Sequence, residues 1–125
     1  MSNVCIVKGF TAGGAIAAFR IVKPGSNDGE VVQAAGATDS LIGVCESVGP
    51  ASGERCDVIQ VGIADVEFGG SVTRGGPVTA DSNGKAVAAA PATGANARVI
   101  GYAQVSAASG DIAPILLAPG VMQGA

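Results

Sequence analysis

Apolar and polar positions along the chain change places over short runs, and glycine-rich stretches separate those runs at close spacing. That pattern is the signature of β-strands joined by tight turns rather than of helices. It predicts strands over residues 4–8, 15–23, 30–34, 41–46, 55–61 and 63–68. In the second half it predicts 71–73, 77–79, 85–90, 98–105 and 112–117. Pro24-Gly25-Ser26-Asn27-Asp28-Gly29 and Asp81-Ser82-Asn83-Gly84 read as turns, because Gly and Asn adopt positive φ and Pro fixes the bend. Alanine favours helix, and residues 34–41 or 89–96 leave room for one short helix. No long amphipathic helix is written anywhere. The fold class is all-β: a small barrel or sandwich of short antiparallel strands.

The chain also repeats itself. Gly13-Gly14-Ala15-Ile16 matches Gly69-Gly70-Ser71-Val72, and residues 29–35 match 84–90. Leu41-Ile42-Gly43-Val44 matches Val99-Ile100-Gly101-Tyr102, and Ala51-Ser52-Gly53-Glu54 matches Ala108-Ser109-Gly110-Asp111. The offsets lie between 55 and 58 residues, so small loop insertions account for them. Either half alone holds too little apolar surface for a stable sheet, whereas two halves together make one core. The expected organisation is one β domain over 13–125, built of halves 13–68 and 69–125. Residues 1–12 precede it as an N-terminal arm or edge strand.

Composition narrows the function. The 125 residues include 20 glycines and no Trp, with one Tyr and three Phe, so few large side chains anchor a core. Stability then comes readily from assembly, which gives an expectation of a homo-oligomer. Seven Lys and Arg against ten Asp and Glu leave a net charge of −3, which argues against a nucleic-acid partner. Histidine is absent, removing the commonest general base and metal ligand. Cys5, Cys45 and Cys56 follow no zinc or redox spacing and fit a reducing compartment, and Cys5 and Cys45, within apolar runs, read as small core residues. No secretory signal pattern opens the chain, and its longest apolar stretch, 112–119, is too short to cross a bilayer.

Candidate chemistry is sparse. Asp65 and Glu67 fall on one face of a strand but are more simply a solvated or interface-facing strand edge, and Cys56 neighbours Arg55, yet adjacent strand residues point to opposite faces. Asp28 with Glu30, and Asp81 with Asn83, offer oxygen ligands but match no calcium loop; turns alone explain them. The expectation is no catalytic residue, no metal, no cofactor and no small-molecule substrate. Gly84-Lys85 is not a phosphate-binding loop: Thr79 stands at the first glycine position and Ala86 where a hydroxyl is needed.

Surfaces are more promising. Val4, Cys5, Ile6 and Val7 form a short apolar segment suited to pairing with a partner's sheet edge. Leu116, Leu117, Val121 and Met122, with Pro119, form an apolar tail expected to contact a partner.

Several of these segments resemble one family. Ala37-Thr38-Asp39-Ser40-Leu41-Ile42-Gly43-Val44 is similar to the ATD-x-x-IGV segment of small tailed-phage capsid decoration, or cement, proteins. Arg74-Gly75-Gly76-Pro77-Val78-Thr79-Ala80-Asp81, continuing to Gly84-Lys85-Ala86-Val87, resembles that family's GxPVTxDxxGKAV hairpin. Residues 98–103 and 109–117 extend the likeness. These motifs are turns, not catalytic signatures, and the recombinase-like label some members carry finds no support in them. The resemblance implies a virion protein, made in the bacterial cytoplasm, that sits on the outer surface of the mature head. It further implies a trimer that bridges neighbouring major capsid subunits, with Val4–Val7 as the capsid-binding arm. Alternatives are a tail or fibre adaptor, told apart by its symmetry, and a soluble ligand-binding barrel, which needs a closed polar cavity.

Overall fold

A computed structural model describes residues 5–46 and 49–124. The chain is all-β, and no helix occurs among the described residues, including the stretches 34–41 and 89–96. Ten strands follow one another: β1 (Ile6–Ala12), β2 (Arg20–Pro24), β3 (Glu30–Gln33), β4 (Gly43–Cys45) and β5 (Arg55–Val61), then β6 (Ile63–Glu67), β7 (Pro77–Ala80), β8 (Ala86–Ala88), β9 (Asn96–Ala103) and β10 (Ile112–Gln123). The segment 71–73 holds only an isolated bridge, Val72 to Ala107.

The first five strands close a barrel in the order β1-β3-β2-β4-β5, and the last five form a sheet in the order β6-β10-β9-β7-β8. With β6 in the place of β1, and so on to β10 for β5, the two orders are the same. The parallel pair that closes the barrel, Thr11–Glu30 and Ala12–Val31 between β1 and β3, has a counterpart in the isolated parallel bridge Phe68–Ala86. The repeat therefore starts with β1 and again with β6, rather than at residues 13 and 69. Ile6–Ala12, expected as an arm or edge strand, pairs along its length with β5. The sequence matches began at the Gly13-Gly14 and Gly69-Gly70 turns because those turns keep their glycines, whereas the strands before them share only an apolar pattern.

Local hydrogen bonds repeat along with the strands. The Gly53 N–H donates to the Ala12 carbonyl at 2.7 Å, and the Gly110 N–H to the Phe68 carbonyl at 2.8 Å. In the same turns the Glu54 carboxylate accepts from the Ala51 N–H at 2.8 Å, and the Asp111 carboxylate from Ala108 at 2.9 Å. The matched Ala-Ser-Gly-Glu and Ala-Ser-Gly-Asp segments are thus one turn used twice. Gly53 and Gly110 both hold positive φ, +87° and +91°, which is why glycine recurs there.

Two buried clusters fill the molecule. One lines the closed barrel: Ala12, Ile16, Val22, Val31, Cys45, Cys56 and Val58. The other lines the second sheet and runs on to the outer face of the barrel, joining Phe68, Val78, Ile100 and Ile115 to Ile21, Val44 and Ile59. Strands β2, β4 and β5 consequently bury both faces, as the neighbours Ile21 and Val22, Val44 and Cys45, and Val58 and Ile59 show.

Candidate interaction surface

The seam between the halves carries a cluster of paired charges. Glu67 on β6 takes Arg20 Nη1 at 2.8 Å and Lys85 Nζ at 3.1 Å. Arg20 Nη1 also donates to the Ala18 carbonyl at 3.0 Å, while its Nε is buried without a partner. Hydrogen bonds from Arg20 and then Lys85 hold the Glu67 carboxyl below its usual range, so it stays ionised. Backbone bonds join the same seam: Glu67 N–H to the Phe19 carbonyl at 3.0 Å, and Ile21 N–H to the Gly84 carbonyl at 2.9 Å. Asp65, paired with Glu67 in the sequence reading, is exposed, and its N–H donates to Glu46 Oε2 at 2.7 Å. The geometry makes this group a clasp between two repeats.

The cysteines are interior. Cys45 and Cys56 are buried in the closed barrel, and burial followed by the bond to Cys45 pushes the Cys56 thiol up to about 12. Burial also raises the Cys45 thiol. Thiols so placed stay protonated and unreactive. Cys5 is half-buried against the larger cluster. Among the described residues, no three His, Cys, Asp or Glu side chains gather as a metal site.

Exposed apolar residues group elsewhere, in two of the places they occur. On the second sheet Leu116 pairs with Ile63 on one side and with Tyr102 on the other, and Tyr102 pairs with Pro77. Directly opposed residues share a face, so Ile63, Leu116, Tyr102 and Pro77 form one row across four strands. Tyr102 and Leu116 are each 43 % exposed. A hollow of about 270 Å³ adjoins the row, lined by Pro77, Tyr102, Val121 and Met122 among others. The second place is the start of β1, where Ile6 pairs with Val61 and both are exposed. Between residues 6 and 10, β1 is paired on its β5 side alone.

The expected contact residues fall into three groups. Leu116, Val121 and Met122 lie on or beside the exposed row, as an apolar contact surface requires. Leu117 does not: it is 8 % exposed and belongs to the core cluster, because consecutive strand residues face opposite sides. The apolar tail expected to contact a partner is part of the long strand β10, paired with β9 as far as Gln123. Ile6 and Val7 are exposed on β1, Cys5 precedes them, and Val4 lies outside the described residues. Sequence reading missed Tyr102 and Pro77, whose partnership depends on the register of β7 with β9. The one available signal was that Tyr102 stands in a repeated segment.

No family model matches the chain, and no curated protein sequence does. Among solved structures it is similar to the crystal structure of the head fiber gp8.5 N base in bacteriophage phi29, with 18 % sequence identity. The match covers 92 % of this chain and 95 % of that one, at a TM-score of 0.68. At this identity what the two chains share is the fold, from one end to the other.

Proposed function

We propose that the chain is a structural protein of a tailed-phage virion that binds the outer surface of the mature capsid. There it would stabilise the shell by bridging neighbouring major capsid subunits. The observation that carries this reading is the fold likeness to a phage head fiber base over nearly the whole of both chains. The motif resemblance to capsid decoration proteins points the same way. In this reading the chain is a homo-oligomer, a trimer by the resemblance, and its work is mechanical. Buried area that exists only in the expanded lattice favours that lattice by mass action. Many copies act together, so each contact can be modest. The segment Val4–Val7, leading into the singly paired start of β1, is the part we assign to the capsid subunit. Backbone groups free on one edge suit strand addition.

A second reading, a fibre base rather than a cement, is favoured by the description of the structural neighbour itself. Co-sedimentation with expanded capsids that lack this protein tests both. Saturable binding with raised thermal stability of the shell supports the cement reading. Saturable binding that leaves shell stability unchanged supports the fibre base. Absence of binding rejects both.

A further inference from the structure

The two halves treat one pair of hydrogen-bond donors differently. The Ala34 N–H donates to the Ile21 carbonyl and the Ala89 N–H to the Pro77 carbonyl, both at 2.9 Å, so these residues are counterparts in the repeat. Lys23 pairs with Val32, and Thr79 with Val87. Thr79 therefore stands where the first half has Lys23, and Ala90 where it has Ala35.

In the first half a single carboxylate oxygen serves both positions. Asp39 Oδ2 accepts from the Ala35 N–H at 2.8 Å and takes Lys23 Nζ at 3.2 Å. The second half supplies no such oxygen. Eight residues lie between Ala90 and Val99 where five lie between Ala35 and Leu41, and none of the eight is acidic. The Ala90 N–H makes no hydrogen bond among the described residues. Thr79 is 3 % exposed, and its Oγ1 is buried without a partner. Both residues line one hollow of about 280 Å³, whose walls also include Val87, Ala88, Pro91 and Ala97. Arg98, the one charged residue of the eight, lines an adjoining hollow with Ala97.

We propose that this hollow binds a carboxylate on a short aliphatic stem, held as Asp39 is held in the first half. The Ala90 N–H and the Thr79 hydroxyl donate to it, and the apolar walls take the stem. The positive charge of Arg98 at the adjoining hollow favours an anion over a neutral group. A hydroxyl buried without a partner costs stability, and an acceptor brought from outside recovers that cost. The carboxylate is that of a free acid or of a glutamate on a neighbouring protein; both offer the same chemical group. This inference does not rest on the capsid reading above.

The test is amide NMR of the purified full chain titrated with sodium butyrate, with sodium chloride at equal ionic strength as the blank. The Ala90 amide is expected to shift saturably, while Ala35, whose N–H Asp39 already holds, stays in place. Butyramide, of the same shape without the charge, is expected to bind about tenfold more weakly. Thr79→Val removes the hydroxyl and keeps the shape, so it should retain the wild-type circular dichroism and also weaken butyrate about tenfold. Asp39→Ala empties the matching place in the first half, and butyrate should then shift Ala35 as well as Ala90. An Ala90 amide that ignores butyrate overturns the proposal and leaves water as the occupant of the hollow. Equal affinity for butyrate and butyramide overturns it too, as does a Thr79→Val variant that binds like wild type. If Asp39→Ala makes Ala35 respond while Ala90 never does, Lys23 alone recognises the carboxylate and the proposal is wrong. Once butyrate is bound, uptake by expanded capsids separates the two sources: competition identifies a side chain of the shell, and undisturbed uptake a free acid. A chain that binds butyrate but no capsid rejects the capsid reading and leaves this one standing.

Discussion

The two halves of the chain solve one packing problem with different side chains. Each of the seven residues lining the closed barrel has a counterpart in the cluster of the second sheet. Ala12, Ile16, Val22, Val31, Cys45, Cys56 and Val58 correspond to Phe68, Val72, Val78, Ala86, Ala103, Ala113 and Ile115. Phe68, the largest fully buried side chain among the described residues, stands where the barrel has Ala12. Alanine then replaces Val31, Cys45 and Cys56, so the interior trades one large side chain against three smaller ones. Cores accept such exchanges when total volume is kept.

Closure is where the halves part. In the barrel the Thr11 N–H donates to the Gly29 carbonyl at 2.9 Å and ties β1 to β3. Its counterpart, the Glu67 N–H, turns away from β8 to the Phe19 carbonyl of the first half. The second sheet gives up that bond of its own closure to hold its neighbour, and Arg20 and Lys85 reach Glu67 at that point. An internal repeat can therefore keep its topology while converting a self-closing strand into an interface strand.

The largest expected effect attacks what the halves share. Gly43 and Gly101 occupy the same place in the repeat, and neither has positive φ, so the need for glycine there is one of space. A Cβ at Gly43 would lie 2.5 Å from the Ile59 carbonyl oxygen, and one at Gly101 would collide with the Leu116 carbonyl. Those carbonyls belong to paired strands and cannot rotate aside. Gly43→Ala and Gly101→Ala are each expected to cost about 3 kcal/mol in urea unfolding. A loss in one half only would break the equivalence.

A smaller effect addresses the difference at Glu67. Its folded pKa lies below its unfolded value, so its contribution is present above the ordinary carboxylate range. That contribution is lost as pH falls through the lowered folded pKa. Glu67→Gln is expected to destabilise by about 1.5 kcal/mol at pH 7, the scale of a charged hydrogen bond. It should also flatten the acid limb of the stability–pH curve below about pH 5. Thr11→Val, at the corresponding place in the barrel, should leave that limb unchanged. Parallel acid limbs in wild type and Glu67→Gln would mean the clasp contributes nothing at the seam.

How much of this was legible beforehand depends on the length scale of each feature. Turns announce themselves locally: Asp81-Ser82-Asn83-Gly84 and the two Ala-Ser-Gly-acid segments fix a bend with their own residues. The strand 55–61 was bounded correctly, because alternation and a flanking turn mark both ends. The phase of the repeat was not legible, since β1 and β6 share only apolar character while the turns after them share identities. Leu117 was assigned to the surface because a run of apolar residues does not reveal which alternate members face inward; pairing with Gly101 decides it. The Tyr102–Leu116 row needed the register of three strand pairs, which is long-range information. Cys45 was legible as a core residue because its apolar run predicts burial, whereas Cys56, flanked by Arg55 and Asp57, was not.

The smallest effect concerns one turn in which the halves chose different residues for one conformation. Phe19 has φ +60° and is the sole non-glycine with positive φ among the described residues; Gly75, at its counterpart, has φ +84°. Left-handed backbone costs an L-residue roughly 1–2 kcal/mol relative to glycine. Around Gly75 nothing lies within 4 Å of a Cβ, so Gly75→Ala isolates that strain and is expected to cost about 1 kcal/mol. At position 19 the half-buried ring offsets the strain, so Phe19→Gly should fall within about 1 kcal/mol of wild type. The decisive comparison is Phe19→Ala with Phe19→Gly, since both lack the ring. If the repeat dictates the turn, glycine exceeds alanine by about 1 kcal/mol, the same sign and size as at position 75. If alanine is the more stable, the turn at 19 relaxes once the ring is gone. In that case Phe19, and not the repeat, sets the geometry that presents its carbonyl to Glu67.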